Sequence, residues 1–262
     1  MGLTRQSCGS GAANENFGRG QTSGADYVIA LAGNPNTGKS TVFNSLTGLN
    51  QHTGNWPGKT VTRAEGFYNH RGLTFKLIDL PGTYSLLANS VEEQVARDYL
   101  CFGRPDATVV VLDATCMERN LNLVLQVLEI TSRVVVCVNL VDEAQRKKIV
   151  IDYQLLTAEL GVPVVPTAAR GGVGLDKLVE AVSGIASGRI KTKPCIVRYK
   201  EKIEAAVQVL EPKIKKLVGE SFNARWLALR ILDKDQSVLA SVGHSLDRNN
   251  DPANGVEGAV LV

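Results

Sequence analysis

The sequence predicts an α/β fold built on a mostly parallel sheet, followed by a small all-helical domain. From Tyr27 onward, short β-branched runs alternate with amphipathic segments, which is typical of strand–helix–strand units with helices on both sheet faces. The alternation stops after Gly188, where Lys191–Pro194 has the composition of a linker. The 262 residues, 44% hydrophobic and 21% charged, are enough for such a core and exclude disorder throughout.

The strand and helix candidates follow each other regularly along the first part of the chain. The apolar strand candidates are Tyr27–Ala32, Thr74–Ile78, Thr108–Leu112, Val134–Val138 and Val162–Pro166. The helical patterns are Ser40–Leu46, Val91–Leu100, Leu121–Ile130, Gln154–Leu160 and Leu175–Ala186. Extended residues Thr62–His70 precede Thr74–Ile78 with only a short polar turn between, which predicts a hairpin and one antiparallel edge strand.

The residues after the linker have a helical pattern. Apolar residues recur every three or four positions in Glu201–Leu217, where Pro212 predicts a kink or break. Ala224–Leu232 and Gln236–Leu246 predict further short helices, and Cys195–Tyr199 is a short strand candidate. These segments together predict a helical domain of about seventy residues.

The predicted domain organisation has three parts. Residues 1–25 are rich in Gly, Ser, Asn and Thr and predict a flexible arm, because they offer little apolar surface to bury. Residues 26–188 form the α/β domain and residues 189–262 the helical domain. Within the latter, residues 247–262 predict a loop or a frayed end.

Composition excludes several classes of function. A net charge of +3 is too small to indicate nucleic acid or an anionic membrane as partner. Apolar stretches such as Val134–Val138 are far shorter than the roughly 18 residues of a membrane-spanning helix, so the chain as given is expected to be soluble. The five cysteines form no CxxC pair, which favours reduced thiols in the cytosol, with Cys137 in the core. No His, Cys, Asp or Glu cluster has metal-site spacing, so no iron ligands are expected.

Gly33–Ser40 fits the phosphate-binding pattern G-x-x-x-x-G-K-[ST] between a predicted strand and a predicted helix. Glycines allow backbone N–H groups to surround phosphates, Lys39 reaches the β- and γ-phosphate oxygens, and the Ser40 hydroxyl ligates Mg²⁺. A chance glycine-rich turn is disfavoured by the flanking strand and helix. The nucleotide-binding candidates here are Gly33, Asn34, Asn36, Thr37, Gly38, Lys39, Ser40 and Thr41.

Asp79-Leu-Pro-Gly82 ends the next predicted strand. Its Asp79 carboxylate is placed to hold Mg²⁺ through water, and the Gly82 N–H to meet a γ-phosphate. An ordinary Asp-Pro-Gly turn is the alternative, and the preceding phosphate-binding pattern makes it the weaker one.

Two later strand ends carry residues suited to a nucleobase. Asp142 has a carboxylate that accepts hydrogen bonds from the guanine N1–H and amino group, a pattern that adenine does not offer, while Asn139 is expected to tie this loop to the phosphate loop. Thr167–Ala169 is expected to supply a backbone N–H to guanine O6, with Thr167, Ala168 and Ala169 as candidates. A helix N-cap at Asp142 is the alternative. The order of these motifs along the chain predicts a GTP-binding domain.

Residues Gln51–Thr62 contain two glycines and a proline and predict a mobile loop. Thr60 or Thr62 is placed to complete the Mg²⁺ shell when a γ-phosphate orders this loop. His52, Lys59 and Arg63 are interpreted as solvated polar residues, whereas Trp56 either shields the nucleotide or packs on the domain.

The motifs together resemble those of the ferrous iron transport protein B family. They read Gly33-Asn-Pro-Asn-Thr-Gly-Lys-Ser, Gly54-Asn-Trp-Pro-Gly-Lys-Thr-Val, Asp79-Leu-Pro-Gly-Thr-Tyr-Ser-Leu and Asp113-Ala-Thr…Glu118-Arg-Asn-Leu. The resemblance covers roughly Tyr27–Ala186, and the helical segment with Arg225-Trp-Leu-Ala-Leu-Arg-Ile-Leu is similar to the family's helical domain that modulates GDP release. It implies a Ras-like GTPase domain that is part of a full-length protein with a membrane-spanning iron permease.

The resemblance also implies site roles. Mg²⁺ would be held by Ser40, Thr60 and Asp79, and a K⁺ ion by Asn36 with backbone carbonyls of the Gly54–Trp56 segment. That K⁺ would replace an arginine finger. The catalytic residues implied are Lys39, Asn36, Thr60 and Gly82. Thr83 stands where a water-positioning glutamine is usual, so backbone groups are expected to position the water, and Leu140 stands where many GTPases have lysine.

The implied partners are GTP and GDP, the permease region, small iron-transport accessory proteins and a second copy in an oligomer, at the cytoplasmic face of the bacterial inner membrane. Nucleic acid is not expected. Two alternatives stay open: a ribosome- or tRNA-associated GTPase, and a nucleotide-operated switch with little turnover. The short helical domain of mixed charge disfavours the first.

Overall fold

The computed structural model describes residues 24–48, 51–87, 90–219 and 222–249. The chain divides into two compact units between Ile196 and Val197. Nearly all of the predicted arm, residues 1–25, lies outside the described residues, as do residues 250–262 of the predicted frayed end.

The first unit is a sheet covered by helices. Its strands are β1 (Tyr27–Gly33), β2 (Gln51–Asn55), β3 (Thr62–His70), β4 (Leu73–Asp79), β5 (Ala107–Asp113), β6 (Val134–Asn139) and β7 (Val164–Pro166). Its α-helices are α1 (Lys39–Thr47), α2 (Val91–Asp98), α3 (Met117–Ile130), α4 (Val141–Arg146), α5 (Tyr153–Leu160) and α6 (Leu175–Ala186). A π-helical segment, Tyr99–Gly103, continues α2, and a 3₁₀ turn, Ala169–Gly171, precedes α6.

Local sequence explains where these helices begin and end. The Ser90 and Asp152 side chains accept hydrogen bonds from backbone N–H groups in the first turns of α2 and α5. Helix α1 ends at Gly48 and α5 at Gly161, both in the left-handed conformation that glycine adopts without a steric penalty. Strands β5 and β6 are buried along almost their whole length, as expected for valine-rich strands covered on both faces.

The strand order is β2-β3-β4-β1-β5-β6-β7. Strands β4, β1, β5, β6 and β7 are parallel, and β3 is antiparallel to both of its neighbours. The predicted mostly parallel sheet with one antiparallel strand is therefore confirmed, although β2 lies outside β3 at the edge. Since β1 lies between β4 and β5, the carboxyl ends of all three strands meet at one edge, where open α/β sheets bind ligands.

Two hydrophobic clusters cover the two faces of the sheet. One contains buried residues of β1, β5 and β6 together with residues of α2 and α3, including Ala30, Val110 and Val136. The other contains Ile29 and Val109 from alternate positions of the same strands, packed against α1 and α6. This alternation keeps the central strands dry on both sides, so the loops at their ends start from a rigid base.

The structure corrects two predictions in the first unit. Residues Gln51–Asn55 are not a loop but strand β2, which pairs with β3 so that Gln51 is opposite Gly66. Residues Val141–Arg146 form helix α4, which the hydrophobic pattern does not reveal because only Ala144 in it is fully buried. Sequence pattern missed both elements because each is short and only partly buried.

The second unit contains α7 (Glu201–Val218), α8 (Ala224–Leu232) and α9 (Gln236–Asn249). The predicted break at Pro212 is wrong, since α7 continues through it. The strand candidate Cys195–Tyr199 is also wrong, because residues 191–200 have no regular secondary structure. Within this unit the Arg225 guanidinium on α8 donates two hydrogen bonds to the Glu204 carboxylate on α7, at 2.7 and 3.0 Å.

Residues 190–195 belong to the first unit, so the division falls later than residue 188. The Lys193 N–H donates to the Gly161 carbonyl and the Cys195 N–H to the Leu160 carbonyl, each at 3.0 Å. The Ile190 side chain lies so close to Gly184 that a Cβ there would come within 2.8 Å of its Cγ1. The backbone is therefore fixed on the end of α5 before it enters the helical unit. No helix among the described residues is both long and apolar enough to cross a membrane.

We expect Gly161→Ala to destabilise the protein more than Gly188→Ala. Both glycines have positive φ, 68° and 74°, so each alanine would cost about 1–2 kcal/mol of backbone strain. At Gly161 the added Cβ would also collide with the Lys193 carbonyl, whereas nothing lies within 4 Å at Gly188. Urea unfolding of the two variants measures the difference, and equal losses would show that the 190–195 segment does not pack tightly on α5.

Candidate functional site

The loop between β1 and α1 has a geometry that only small residues and specific backbone angles allow. A Cβ at Gly33 would lie 2.7 Å from the Val111 carbonyl oxygen, and one at Gly38 would collide with the Asn139 amide. Asn36 and Gly38 both have positive φ, 66° and 79°. The predicted phosphate-loop residues thus form a tight turn that leads directly into the N-terminus of α1, with Asn36 and Ser40 exposed.

The Asn139 side chain joins the loops that follow three different strands. Its Nδ2 donates to the Thr37 carbonyl at 3.1 Å. Its Oδ1 accepts from the Thr167 hydroxyl at 3.1 Å and from the Ala169 N–H at 3.0 Å. Asn139 is only 1% exposed, so these bonds are shielded from water. The predicted tie between Asn139 and the phosphate loop is present and extends to the Thr167–Ala169 loop.

Cys137, two residues before Asn139 on β6, contacts one of the residues that Asn139 bonds. Its Sγ lies 3.2 Å from the Thr167 hydroxyl, and burial raises the pKa of the Cys137 thiol to about 12. The thiol is therefore neutral at physiological pH, and its predicted core position is confirmed.

Lys39 lies at the start of α1 and is bound to the end of β4. Its Nζ forms an ion pair with the Asp79 carboxylate and donates to the Leu80 carbonyl at 2.7 Å. Burial raises the pKa of Asp79, and the charge and hydrogen bond of Lys39 oppose that shift. The candidate phosphate-binding lysine and the candidate Mg²⁺ carboxylate thus neutralise each other in this structure.

The segment after Asp79, Leu80–Thr83, lies against the phosphate loop. The Thr83 N–H donates to the Gly33 carbonyl at 3.3 Å, and a Cβ at Gly82 would lie 3.4 Å from the Pro35 nitrogen. Gly82 is therefore beside the phosphate loop, as its expected role requires. Thr83 is buried.

Asp142 is on α4, directly after Leu140, whose φ is 61°. Its carboxylate is half exposed and accepts from Arg146 Nη2 at 2.8 Å, one turn further along the helix. Asp142 does not act as the N-cap, since Leu140 holds that position without a side-chain bond. The carboxylate therefore lies on the first turn of α4, open to solvent and paired with one exposed arginine.

The backbone N–H groups of the Thr167–Ala169 loop are used within the protein. The Ala168 N–H donates to the Val173 carbonyl at 3.1 Å, and the Ala169 N–H to Asn139. Ala168 and Val173 form an isolated antiparallel bridge. A guanine O6 at this loop would therefore require the bridge to open.

The residues expected to hold K⁺ and to complete the Mg²⁺ shell lie on the β2–β3 hairpin. Gly54 is in β2 opposite Arg63, and the Trp56 N–H and carbonyl are bonded to Val61 and Lys59 across the turn, both at 2.9 Å. Thr60 is exposed on the same turn. The assignment of Asn36, Gly54 and Trp56 to K⁺ and of Thr60 to Mg²⁺ stays a prediction.

Trp56 anchors this hairpin. It is 1% exposed and packs edge to face on Tyr99 with ring centroids 5.3 Å apart, so the predicted packing on the domain is present, while shielding of a nucleotide stays a prediction. The Arg63 guanidinium lies 4.9 Å from the centre of the Trp56 ring and pairs with Glu65. The interpretation of Arg63 as a solvated residue is therefore wrong, while His52 is exposed as expected.

The sequence did not predict the residues to which three site residues are bonded: Lys39 to Leu80, Asp142 to Arg146 and Ala168 to Val173. Only the pair of Asp142 and Arg146 has a sequence signal, the i, i+4 spacing of opposite charges. No group of three or more His, Cys, Asp or Glu residues that would suit a metal ion occurs in the described ranges.

These features define a class of protein. A phosphate loop between β1 and α1, an aspartate at the end of β4 and a base-side Asn/Asp pair after β6 belong to a P-loop nucleotide-binding domain of the Ras-like type, here followed by a helical domain. The chain belongs to the ferrous iron transport protein B family. The model of that family matches residues 27–182, and the model of the FeoB cytosolic helical domain matches residues 199–257.

Relatives and solved structures agree with this family. The chain is 41% identical over 227 residues to the Fe(2+) transporter FeoB of Methanocaldococcus jannaschii, covering 84% of this chain and 32% of the relative. It is 41% identical over 219 residues to an Fe(2+) transport protein A/Fe(2+) transporter FeoB fusion protein of Porphyromonas gingivalis, covering 82% and 26%. The chain thus spans a third or less of the length of these relatives.

The cytosolic domain of the T. maritima FeoB iron transporter in its apo form has a TM-score of 0.76 and 39% identity, covering 84% of this chain and 86% of that one. The same domain in a GMPPNP form has a TM-score of 0.70 and 38% identity, covering 78% and 80%. The fold predicted from sequence is therefore confirmed by experimentally determined relatives.

Proposed function

We propose that this chain is the GTP-binding and GTP-hydrolysing region of a ferrous iron transporter, dependent on Mg²⁺ and stimulated by K⁺. Its nucleotide state would control Fe²⁺ uptake by the membrane-spanning permease region of the same full-length protein, at the cytoplasmic face of the bacterial inner membrane. The observation that carries the proposal is the buried Asn139 side chain, which joins the phosphate loop to the base-side loop. Solved relatives in GDP and GMPPNP forms support it.

Phosphate binding follows from the loop and from Lys39. The N-terminus of α1 and the backbone N–H groups of the Gly33–Ser40 loop provide a positive cradle for phosphate. Lys39 would exchange the Asp79 carboxylate for the β- and γ-phosphate oxygens. This exchange is proposed because Lys39, at the start of α1, belongs to the phosphate loop and also contacts Asp79. The Asp79 carboxylate released in this way becomes available to a cation.

The residues present fit Mg²⁺. A hard cation prefers oxygen ligands. The exposed Ser40 hydroxyl is next to Lys39 in the chain, and the Asp79 carboxylate contacts the Lys39 side chain. When bound, Mg²⁺ neutralises phosphate charge. Thr60, exposed on the turn of the β2–β3 hairpin, would be the third oxygen ligand.

Guanine selection is assigned to Asp142 and the Thr167–Ala169 loop. The half-exposed carboxylate accepts the two guanine donors, with Arg146 as a rim contact that solvent screens. The Ala168 N–H would donate to guanine O6 after leaving Val173. Guanine and the Val173 carbonyl would then compete for the Ala168 N–H. Release of GDP would lose the bond to guanine O6 and regain the bond to Val173.

Hydrolysis would use backbone groups and a monovalent cation. Gly82 lies beside the phosphate loop, where its N–H is placed to meet a γ-phosphate. The oxygen of the exposed Asn36 side-chain amide fits K⁺, and the backbone carbonyls of Gly54 and Trp56 would supply further ligands. The Trp56 carbonyl accepts from the Lys59 N–H at 2.9 Å and keeps a second lone pair for an ion. K⁺ would then hold the hairpin to the phosphate loop.

We expect Asp142→Asn to change base preference. The variant keeps one acceptor oxygen but replaces the other with an amide N–H donor, which opposes a guanine donor and suits the C2 carbonyl of xanthine. GTP affinity should therefore fall about 100-fold while affinity for xanthosine triphosphate rises. Lys39→Ala is the control that should lose both nucleotides, since it removes a phosphate contact. Titration with fluorescent nucleotides measures all four affinities. Unchanged base selectivity in Asp142→Asn would contradict the assignment.

Asn36→Ala should remove stimulation by K⁺ and leave nucleotide binding in place. Loss of one preorganised charge-stabilising ligand predicts a fall in kcat of about 10- to 100-fold in K⁺ and little change in Na⁺. Asn69→Ala, at an exposed position bonded to Thr74, is a matched control and should keep the stimulation. Phosphate release in KCl and NaCl measures both rates. Equal rates of the unmodified protein in the two salts would refute the K⁺ role and favour a nucleotide-operated switch.

A further inference from the structure

Asn34, the second residue of the phosphate loop, is buried without hydrogen bonds to its side chain. It is 1% exposed, and neither Nδ2 nor Oδ1 has a partner among the described residues. Only its backbone carbonyl is used, accepting from the Thr37 hydroxyl at 3.0 Å. A buried amide without partners is destabilising, because it has lost its bonds to water and gained none.

Asn139 shows that this part of the protein otherwise satisfies its buried amides. It has the same 1% exposure and contacts the same loop through Thr37, yet both of its polar atoms are bonded. The difference between the two asparagines therefore lies in what surrounds Asn34, not in the depth of burial. Buried polar groups without partners are rare and often mark sites that find a partner in another state.

The two neighbours of Asn34 in the chain both contact the Leu80–Thr83 segment. The Gly33 carbonyl accepts from the Thr83 N–H at 3.3 Å. The Pro35 ring and backbone pack on Gly82 so closely that a Cβ at Gly82 would lie 3.4–3.5 Å from three of their atoms. Asn34 is thus in the stretch of phosphate loop along which this segment runs.

The Leu80–Thr83 segment is fixed here by a bond that nucleotide would break. Lys39 Nζ donates to the Leu80 carbonyl at 2.7 Å and pairs with Asp79. A triphosphate would draw this lysine away, leaving the segment without one of its anchors. The adjacent phosphate loop then offers the Asn34 side-chain amide, whose two N–H donors and one oxygen acceptor have no partner among the described residues.

We propose that Asn34 is a positioning residue for the triphosphate state: its side-chain amide bonds the backbone of the Leu80–Thr83 segment once Lys39 has moved to the phosphates. This rests on the proposed GTP-binding function. The bond would hold the Gly82 N–H at the γ-phosphate. Either nucleotide would draw Lys39 away, but only a triphosphate places a γ-phosphate at the Gly82 N–H and so brings the segment to the Asn34 amide. Asn34 therefore favours the triphosphate form over the GDP form.

The test compares Asn34→Ala with Thr108→Val in the full chain. Thr108 is a matched control, because its hydroxyl is also buried and unpartnered among the described residues, but it lies in β5 beside Ala30. Fluorescent GDP and GMPPNP are titrated in Mg²⁺, and the Tm of the nucleotide-free proteins is measured.

Asn34→Ala should weaken GMPPNP binding about 3- to 10-fold more than it weakens GDP binding, with a nucleotide-free Tm equal to or above that of the parent. Thr108→Val should raise or keep the Tm and leave the ratio of the two affinities unchanged. An unchanged ratio in Asn34→Ala, or the same change in Thr108→Val, would overturn the positioning role.

If Asn34→Ala does not fold, Asn34→Ser and amide exchange of the unmodified protein decide the question. GMPPNP should slow exchange of the Gly82 and Thr83 amides more than GDP does, and Asn34→Ser should reduce that difference. Equal exchange in the two complexes would overturn the inference. A parent protein that binds neither nucleotide would instead refute the proposed function, on which the inference depends.

Discussion

One buried side chain, Asn139, determines how the two ends of the candidate nucleotide site are arranged. It follows β6, bonds the loop after β1 through Thr37, and bonds the loop after β7 through Thr167 and Ala169. Of the strands β1, β6 and β7 only the last two are neighbours, so the sheet fixes where each loop starts but not how the loops lie against one another. Bonds buried from water supply that constraint, and truncating such a residue leaves several polar groups unpaired.

The phosphate side depends on a second interaction, the one between Lys39 and the end of β4. In the structure the lysine charge is used by Asp79 and the Leu80 carbonyl. Binding a nucleotide must replace these contacts, so their free energy is subtracted from that of phosphate binding. The proposed exchange would give the Leu80–Thr83 segment two arrangements, the observed one held by Lys39 and a second held by the phosphate loop and nucleotide. A switch needs such a two-state element.

The parts of the site that sequence predicted are those determined by local chemistry. Gly38 and Lys39 belong to one short motif between a strand and a helix, and parallel strands bring Asp79 and Asn139 to the same sheet edge. Strand β2 could not be predicted, because it is a short edge strand whose residues 52–55 are exposed and carry no apolar pattern. The π-helical turn after α2 and the short helix α4 have no periodic apolar pattern to reveal them.

The pairing of charges in the site could not be predicted from the sequence either. Lys39 and Asp79 are 40 residues apart, and their ion pair is a property of the nucleotide-free fold rather than of either motif. The unsatisfied amide of Asn34 is a property of packing, since the same residue type at Asn139 is fully bonded. The spacing of motifs predicts which ligand a site takes. The partners of Lys39 and Asn34 in the structure depend instead on contacts that form only in three dimensions.

The central claim is that Asn139 couples phosphate binding to base binding. The most direct measurement is a double-mutant cycle on GDP affinity, combining Thr37→Ser as a mild change of the phosphate loop with Thr167→Val, in parent and Asn139→Ala backgrounds. Because Asn139 bonds both loops, we expect a coupling of about 0.5–3 kcal/mol between the two changes in the parent and none in Asn139→Ala. Additive effects in the parent, or the same coupling without Asn139, would contradict the account.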